Sequence, residues 1–352
     1  MLPQQAVLET GRPIGSGTMK VLVTGGAGYI GSTTAKALEQ AGHTPVVFDS
    51  LISGPEAFVR DRIFYQGDIA DRHLVARIVQ EHPDLACTIH MAARIVVPES
   101  VAQPYEYYRD NVAKSLELFD QLVQVGKPRV VFSSSASLYA TVDGFEVDES
   151  SPLDPQSPYA RTKQMMEMAL NDMAAASDLR AIILRYFNPI GSDPDLESGI
   201  YVREPSHVLG QLVMAAQGLK DAFTITGTEH PTRDGTGIRD YIHVWDLAQA
   251  HVRAVERFDD VLDQVGAPST TVNVGTGSGV TVRELVTAFG SVFGKDVPLR
   301  EAPPRAGDAV GAFANVDKAR EVLGWSTSLT LEDAIASALA WGRRRKEVLG
   351  YD

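Results

Sequence analysis

The chain has 352 residues, 44% hydrophobic and 22% charged, the balance of a folded protein with a large core. Its 45 acidic and 32 basic residues leave a net charge of −13, which repels a phosphate backbone and argues against a nucleic-acid partner. A single cysteine, Cys87, rules out an internal disulfide and argues against a cysteine-built metal centre. No apolar run approaches the ~18 residues that span a bilayer, so no membrane partner is expected and the cytoplasm is the expected compartment.

Residues 1–18 lack the apolar stretch of a signal peptide and read as a disordered leader or tag, with the fold starting near Met19. Met19–Thr24 is a short apolar run stopped by glycines, the pattern of a buried parallel strand. A helix over Gly31–Gln40, closed by Gly42, and a strand over Pro45–Asp49 follow. Further strands are predicted at Arg62–Tyr65, Ala86–Met91, Val130–Ser133 and Ala181–Arg185. Helices at Asp71–His82, Pro104–Gly126 and Pro158–Ala175 lie between them. This alternation predicts an α/β fold with a Rossmann-type doubly wound parallel sheet. Residues 187–235, rich in Pro, Gly, Asp and Ser, break the pattern and suggest a smaller lobe. Gly235–Ala254 returns to strand then helix, and helices are predicted near Val282–Phe293, Val316–Leu323 and Leu331–Arg345. The division expected is a dinucleotide-binding domain of 19–190 plus about 235–260, and a smaller C-terminal α/β lobe of 191–234 plus about 261–352.

The first strand runs into Gly25-Gly26-Ala27-Gly28-Tyr29-Ile30-Gly31. Gly25 and Gly28 allow a sharp turn against a pyrophosphate, Gly31 allows close helix packing, and the helix start offers N–H groups to the phosphates. Tyr29 and Ile30 fall in that first turn. Asp49 ends the next strand 18 residues past Gly31, where a carboxylate accepts ribose hydroxyls and repels a 2′-phosphate, which points to NAD rather than NADP. Downstream, Tyr159 and Lys163 lie four apart behind Ser157-Pro158, an N-cap and first-turn proline. They share a helix face, where the lysine cation is expected to lower the tyrosine pKa so that the phenolate takes a proton from a sugar hydroxyl. A strand ending in Ser133-Ser134-Ser135-Ala136-Ser137 supplies Ser135, with Ser137 beside it, to hydrogen-bond the reacting hydroxyl. His90 reads as a structural histidine, Trp245 and Trp325 as core anchors, and the eight histidines show no metal-ligand spacing, so no metal is expected.

Ordered along residues 19 to about 340 stand TGGAGYIGS, GDI, HMAA, PES, YEYYRDNV, FSSSASLY, SPYARTK, LRYFNPIG, DGTGIRDYIHVWDLA and GTGSGVTV. On these motifs the chain resembles the extended short-chain dehydrogenase/reductase family, and within it the UDP-galactose (UDP-glucose) 4-epimerases. The resemblance implies bound NAD, a transient 4-keto sugar and hydride return to the opposite face. It places Asp68 and Ile69 at the adenine, and Ala92, Asn111, Ser133, Lys163 and Tyr186 along the dinucleotide. Arg239, Arg305 and Asp308 match contacts to the diphosphate and ribose; Asn188 and His207 join the substrate contacts. A homodimer through helices 104–126 and 158–175 is implied as well.

Departures from the family pattern keep other readings open. Ile95 replaces a lysine near the nicotinamide. Thr226 stands where an aromatic ring usually stacks on uracil. Ala312 replaces a large tyrosine at the sugar pocket, leaving room for a bulkier sugar. Ala136 and Ser137 occupy the place of the Asp-Glu pair of 4,6-dehydratases, which argues against dehydration. The alternatives are an epimerase of another nucleotide sugar (an N-acetylhexosamine, a hexuronate, or a sugar on another base) and a dinucleotide-binding protein without turnover.

Overall fold

The structure is a computed structural model that describes residues 17–304 and 310–350. The leader reading for 1–18 therefore falls almost wholly outside the described residues, as do Arg305 and Asp308. In chain order the first part comprises β1 (Lys20–Thr24), α1 (Tyr29–Gln40), β2 (Thr44–Asp49), β3 (Ile63–Gln66), α2 (Arg72–Glu81), β4 (Leu85–His90), α3 (Val97–Ala102), α4 (Pro104–Tyr108), α5 (Lys114–Gln124), β5 (Arg129–Ser133), β6 (Glu146–Val147), α6 (Pro158–Ala176) and β7 (Arg180–Tyr186). The second part runs through β8 (Asn188–Ile190), α7 (Val208–Ala216), β9 (Phe223–Thr226), β10 (Ile238–Arg239), β11 (Tyr241–His243), α8 (Val244–Glu256), α9 (Phe258–Val265), β12 (Ser269–Val274), β13 (Val280–Thr281), α10 (Val282–Phe293), β14 (Leu299–Ala302), β15 (Gly311–Ala314) and α11 (Leu331–Leu349).

Seven parallel strands form one sheet in the order β12-β7-β5-β4-β1-β2-β3. Successive strand residues point to opposite faces, and here both faces are covered, so the strands read as unbroken apolar runs. Val21, Val23, Val131, Ile182 and Leu184 pack under α8 and α9. Leu22, Phe48, Val130, Phe132 and Ile183 pack under α2, α5 and α6. Trp325 is buried in the first of these clusters and donates its indole N–H to Asp246 O at 3.1 Å. The order reverses between β1 and β4, and the crevice at that switch, outside the carboxyl ends of the strands, is the ligand position of such sheets.

Three differences from the sequence reading stand out. β12 is an edge strand of this sheet beside β7, not part of the second lobe, because Val272 and Val274 complete the core under α8 and α9. The helix predicted over Pro104–Gly126 is broken by a π-helical turn, Arg109–Ala113, between α4 and α5. The helix predicted near Val316–Leu323 is a short π-type turn, Ala319–Leu323, ended by Gly324 with φ +59°.

The chain leaves the sheet at Tyr186 and passes directly into β8, so the smaller lobe grows from the site end of β7. Its cores combine Leu209 and Leu212 of α7, Leu285 and Phe289 of α10, and Ile335 and Leu339 of α11. Short strands β13-β10-β15-β6 form a separate sheet beside them.

Candidate active site

The glycine turn is shaped by close approach. Gly25 has φ +73°, and a Cβ there would lie 2.6 Å from Ala92 N, so β1 and β4 loops touch backbone to backbone. A Cβ on Gly31 would fall 2.2 Å from Gly25 O. Gly28 donates to Gly25 O at 3.1 Å and stands at the N-cap of α1, where no side chain caps the first turn. Those N–H groups are left to face the crevice, the arrangement that suits a pyrophosphate. Asp49 stitches the turn to β2: Oδ2 accepts Ala27 N at 3.0 Å and Oδ1 accepts Leu51 N at 2.8 Å. Ser50 N–H bonds this carboxylate as well, and the acceptor capacity that remains suits a ribose hydroxyl. Burial pushes this carboxyl up, and the backbone N–H bonds oppose that.

Other predicted cofactor residues are partly committed within the protein. Tyr29 OH donates to Gly191 O at 2.7 Å, so its ring clamps the loop after β8. Ile30 packs on the core under α8. Asp68 pairs with Lys114 Nζ at 2.5 Å, and Ile69 is buried. The Asn111 amide is spent: Oδ1 accepts Arg94 N at 2.7 Å, and Nδ2 donates to Arg94 O at 2.9 Å and Thr162 Oγ1 at 3.2 Å. It holds the loop after Ala92 against α6.

Tyr159 and Lys163 face inward from the first turns of α6, 8% and 4% exposed. Ser157 accepts Ala160 N at 3.1 Å and starts the helix there. Lys163 Nζ donates to Ser133 O at 2.8 Å and lies 5.0 Å from the Phe132 ring centre. Burial drives this ammonium down to about 8, with Glu167 opposing. Burial also raises the Tyr159 phenol, and a hydrogen bond from Ser135 pulls it back. The lowering expected from Lys163 is therefore not what the protein alone produces: burial raises the phenol, Ser135 is the group that opposes it, and Lys163 Nζ is bonded to Ser133 O instead. Ser135 Oγ also contacts Ser137 Oγ at 2.9 Å.

Beneath them, His251 Nδ1 donates to Leu247 O at 2.9 Å, so Nε2 accepts from Ser133 Oγ at 3.1 Å. Ser133 in turn bonds Tyr186, whose ionisation is disfavoured by burial and by the nearby Tyr159. His90 is bonded on both nitrogens, to Thr24 Oγ1 at 2.7 Å and Ser115 Oγ at 2.9 Å, and burial holds it neutral, down to about 3. Among the described residues no cluster of three or more His, Cys, Asp or Glu converges as a metal site would.

On the second lobe, Arg239 Nη1 reaches Ile238 O at 2.7 Å and Val310 O at 2.6 Å, and in the β10–β15 register it pairs with Ala312. Its neighbour Asp240 is fully buried and accepts Thr276 N at 2.8 Å, Gly277 N at 3.2 Å and Ala314 N at 3.1 Å, joining the loop after β12 to β15. Asn188 is exposed at the start of β8, and Thr226 ends β9 partly buried. His207 caps α7: Nδ1 accepts Gly210 N at 3.2 Å, so Nε2 carries the proton, and it is buried without a partner among the described residues. That orphaned donor asks for an acceptor.

Residues 21–275, from β1 to just past β12, match the NAD dependent epimerase/dehydratase family. The chain belongs to that family. A UDP-glucose 4-epimerase of Rhizobium meliloti (strain 1021) is 42% identical over 327 residues, spanning 93% of this chain and 98% of the relative. Among solved structures, a UDP-glucose-4-epimerase from Stenotrophomonas maltophila with bound NAD and formylated UDP-arabinopyranose superposes with a TM-score of 0.88 at 38% identity, covering 94% of this chain and 99% of that one. A Brucella ovis UDP-glucose 4-epimerase in complex with NAD gives 0.86 at 39% identity, covering 92% and 99%. The family match thus takes in the whole seven-stranded sheet, and these relatives extend the likeness through the smaller lobe.

Three residues that support this candidate site are missed by the sequence reading: Glu167, Arg185 and His251. Glu167 was open to it, standing four residues after Lys163 on the same helix face. Arg185 and His251 reach their partners only through the sheet.

Proposed function

We propose that the chain is an NAD-dependent nucleotide-sugar 4-epimerase that interconverts UDP-glucose and UDP-galactose through a transient 4-keto sugar. The observation that carries this is that Tyr159, bonded to Ser135, and Lys163, bonded to Ser133 O, come together at the end of β5, two strands from the glycine turn of β1. Gly25, Gly28, Gly31, Asp49, Asp68, Ile69, Ala92, Lys163 and Tyr186 hold the dinucleotide, with Tyr29, Asn111 and Ser133 setting the loops around it. The chemistry that bound NAD supplies is reversible acceptance of the sugar hydride, with no net redox change.

Protons are the protein's part. Tyr159, as phenolate, takes the proton of the 4-hydroxyl, and Ser135 hydrogen-bonds the same oxygen, with Ser137 behind it. Lys163 steadies the phenolate. When the keto group is reduced from its other face, Tyr159 returns the proton. Arg239 and Arg305 hold the diphosphate, Asp308 accepts hydroxyls of the nucleoside ribose, Asn188 hydrogen-bonds the nucleotide sugar, and His207 and Thr226 join the substrate contacts. We assign cofactor binding to 19–190 with 235–274, and sugar-nucleotide binding to the rest of the second half. A second copy seated on the exposed apolar residues Val101, Tyr105, Leu116, Met165 and Met168 of α3 to α6 completes a homodimer. Among the described residues no helix is long and apolar enough to cross a membrane, and a buried free Cys87 suits a cytoplasmic setting.

One observation favours a wider sugar range: β15 carries a small residue, Ala312, opposite Arg239, where the family pattern has a large tyrosine. The test is to incubate the purified protein with a panel of nucleotide sugars and no added cofactor. Fastest conversion of UDP-galactose supports the principal reading. Turnover of UDP-N-acetylglucosamine alone would move it to the second, and no turnover of any member, with NAD bound, would sink both.

A further inference from the structure

Behind the Tyr159–Lys163 face lies a polar cluster that the proton transfer does not itself use. Glu167 sits on α6 one turn beyond Lys163. It is 5% exposed, and its partner Arg185, near the end of β7, is 6% exposed. The pair is bidentate: Arg185 Nε donates to Glu167 Oε1 at 2.9 Å and Nη2 to Oε2 at 2.6 Å. Ser134 Oγ donates to the same carboxylate, and Ser134 N is tied to Leu184 O at 2.9 Å. One residue earlier, Ser133 O accepts Lys163 Nζ at 2.8 Å. Consecutive turns of α6 thus grip consecutive residues of β5, and the next residue is Ser135. On its far side Arg185 Nη1 donates to Tyr139 OH at 3.0 Å, whose own proton goes to Asn273 Oδ1 of β12 at 2.6 Å.

A sealed ion pair of this kind adds little net stability over well-packed apolar side chains. A satisfied buried network does, however, select one arrangement of the segments it joins. We propose that Glu167, clamped by Arg185, is a positioning residue for the reaction: it locks the Ser133–Ser135 end of β5 to α6, so that Ser135 meets Tyr159, and it sets a negative charge one turn from Lys163. This inference rests on the proton-transfer reading above.

Among the groups around Lys163 in the resting protein, Glu167 supplies the negative charge. Tyr159 on its own helix and Tyr186 on β7 are neutral phenols. His90 on β4 is held neutral, and Arg185, the cation of the cluster, offsets part of the Glu167 charge at Lys163. The elements packed on the other sides of α6 carry Glu99, Glu106, Asp110, Lys114 and Glu117, and these are paired with Arg94, Arg109, Asp68 and Arg72. Burial drives Lys163 down to about 8, and Glu167 is the group that opposes it.

The test is Glu167→Gln in the full-length holoenzyme carrying lysine labelled with carbon-13 at Cε, the Lys163 signal being the one lost in Lys163→Arg. In the variant the midpoint of that signal moves to lower pH by about one unit. The alkaline limb of kcat moves with it, and kcat at neutral pH falls by up to about 10²-fold with KM little changed. Should Glu167→Gln fail to fold, Glu167→Leu with Arg185→Met strands no buried charge, and it is expected to lower kcat in the same way while moving the Lys163 midpoint in the same direction by a smaller amount. An unmoved Lys163 midpoint in a folded variant, with turnover unchanged or reduced equally at every pH, would overturn the proposal. A moved midpoint in a protein whose wild type converts no nucleotide sugar would leave the Glu167 coupling standing and defeat the epimerase reading instead.

Discussion

Burial by itself makes the Tyr159 phenol a weaker acid, the opposite of what a proton acceptor needs. Its usefulness therefore depends on charges that arrive from outside the residue: the Lys163 ammonium and, when it is bound, the positive ring of the cofactor. Tyr159→Phe removes the proton carrier but keeps the ring in place. Turnover in that variant is expected to fall about 10²–10⁴-fold with bound NAD unchanged. Assay of sugar interconversion beside acid-released NAD checks both halves, and turnover within about threefold of wild type would show that another group moves the proton. The residue scale also explains what pattern reading could and could not find. Tyr159, Lys163 and Glu167 recur at fourfold spacing on one helix, a relation visible in any helical wheel. Arg185 lies 18 positions beyond Glu167, and His251 lies 118 beyond Ser133, so their pairing required the strand order.

At the scale of elements, the turn between β1 and α1 separates two uses of glycine. A methyl group on Gly31 would lie 2.2 Å from Gly25 O, so the first turn of α1 must move away from the pyrophosphate position. A methyl group on Gly42 meets nothing within 4 Å, and the cost there is only the left-handed backbone at φ +85°. Gly31→Ala is therefore expected to lose bound NAD, whereas Gly42→Ala keeps it at a stability cost of about 1–2 kcal/mol. Comparing NAD content and urea midpoints of the two decides it; retention of NAD by Gly31→Ala would remove the turn from the cofactor site. The break between α4 and α5 belongs to the same scale. Sequence periodicity runs smoothly through Pro104–Gly126, yet the chain inserts a π turn that turns Asn111 onto the loop after Ala92. Helical periodicity registers which side of a helix is apolar, and one wide turn hardly changes that.

For the whole molecule, two consequences follow. Tyr105 is 71% exposed and Met168 60% exposed on helices that pack against each other, a surface that a second copy would cover. Tyr105→Glu with Met168→Glu should halve the sedimenting mass towards the 38.0 kDa of one chain. A wild type already at that mass would refute the dimer. The second consequence concerns acid. Burial holds His90 down to about 3 and His251 down to about 4, so the native state refuses protons that the unfolded chain accepts near pH 6.5. Stability is full above that pH and is lost as pH falls towards 4, each histidine contributing about 1.4 kcal/mol per pH unit. Urea unfolding between pH 6.5 and 4.5 should show a slope shallower by roughly 2–3 kcal/mol per pH unit in His90→Asn with His251→Asn. Equal slopes would mean that these rings are protonated in the folded protein.

The sequence by itself determined the alternation of strands and helices, the glycine turn, Asp49 at the end of β2, and the Tyr159–Lys163 pair. Each of these is a local relation: a period of two or of 3.6, a cap, or a turn that only glycine can make. The tertiary structure alone decided that β12 closes the main sheet, that Asn111 and Tyr29 spend their side chains within the protein, that His207 Nε2 is left seeking an acceptor, and that Arg185 and Glu167 seal one network. Those are non-local matters. They turn on which strands neighbour each other and on how far burial outweighs a nearby charge, and neither quantity is written in the order of residues along one segment.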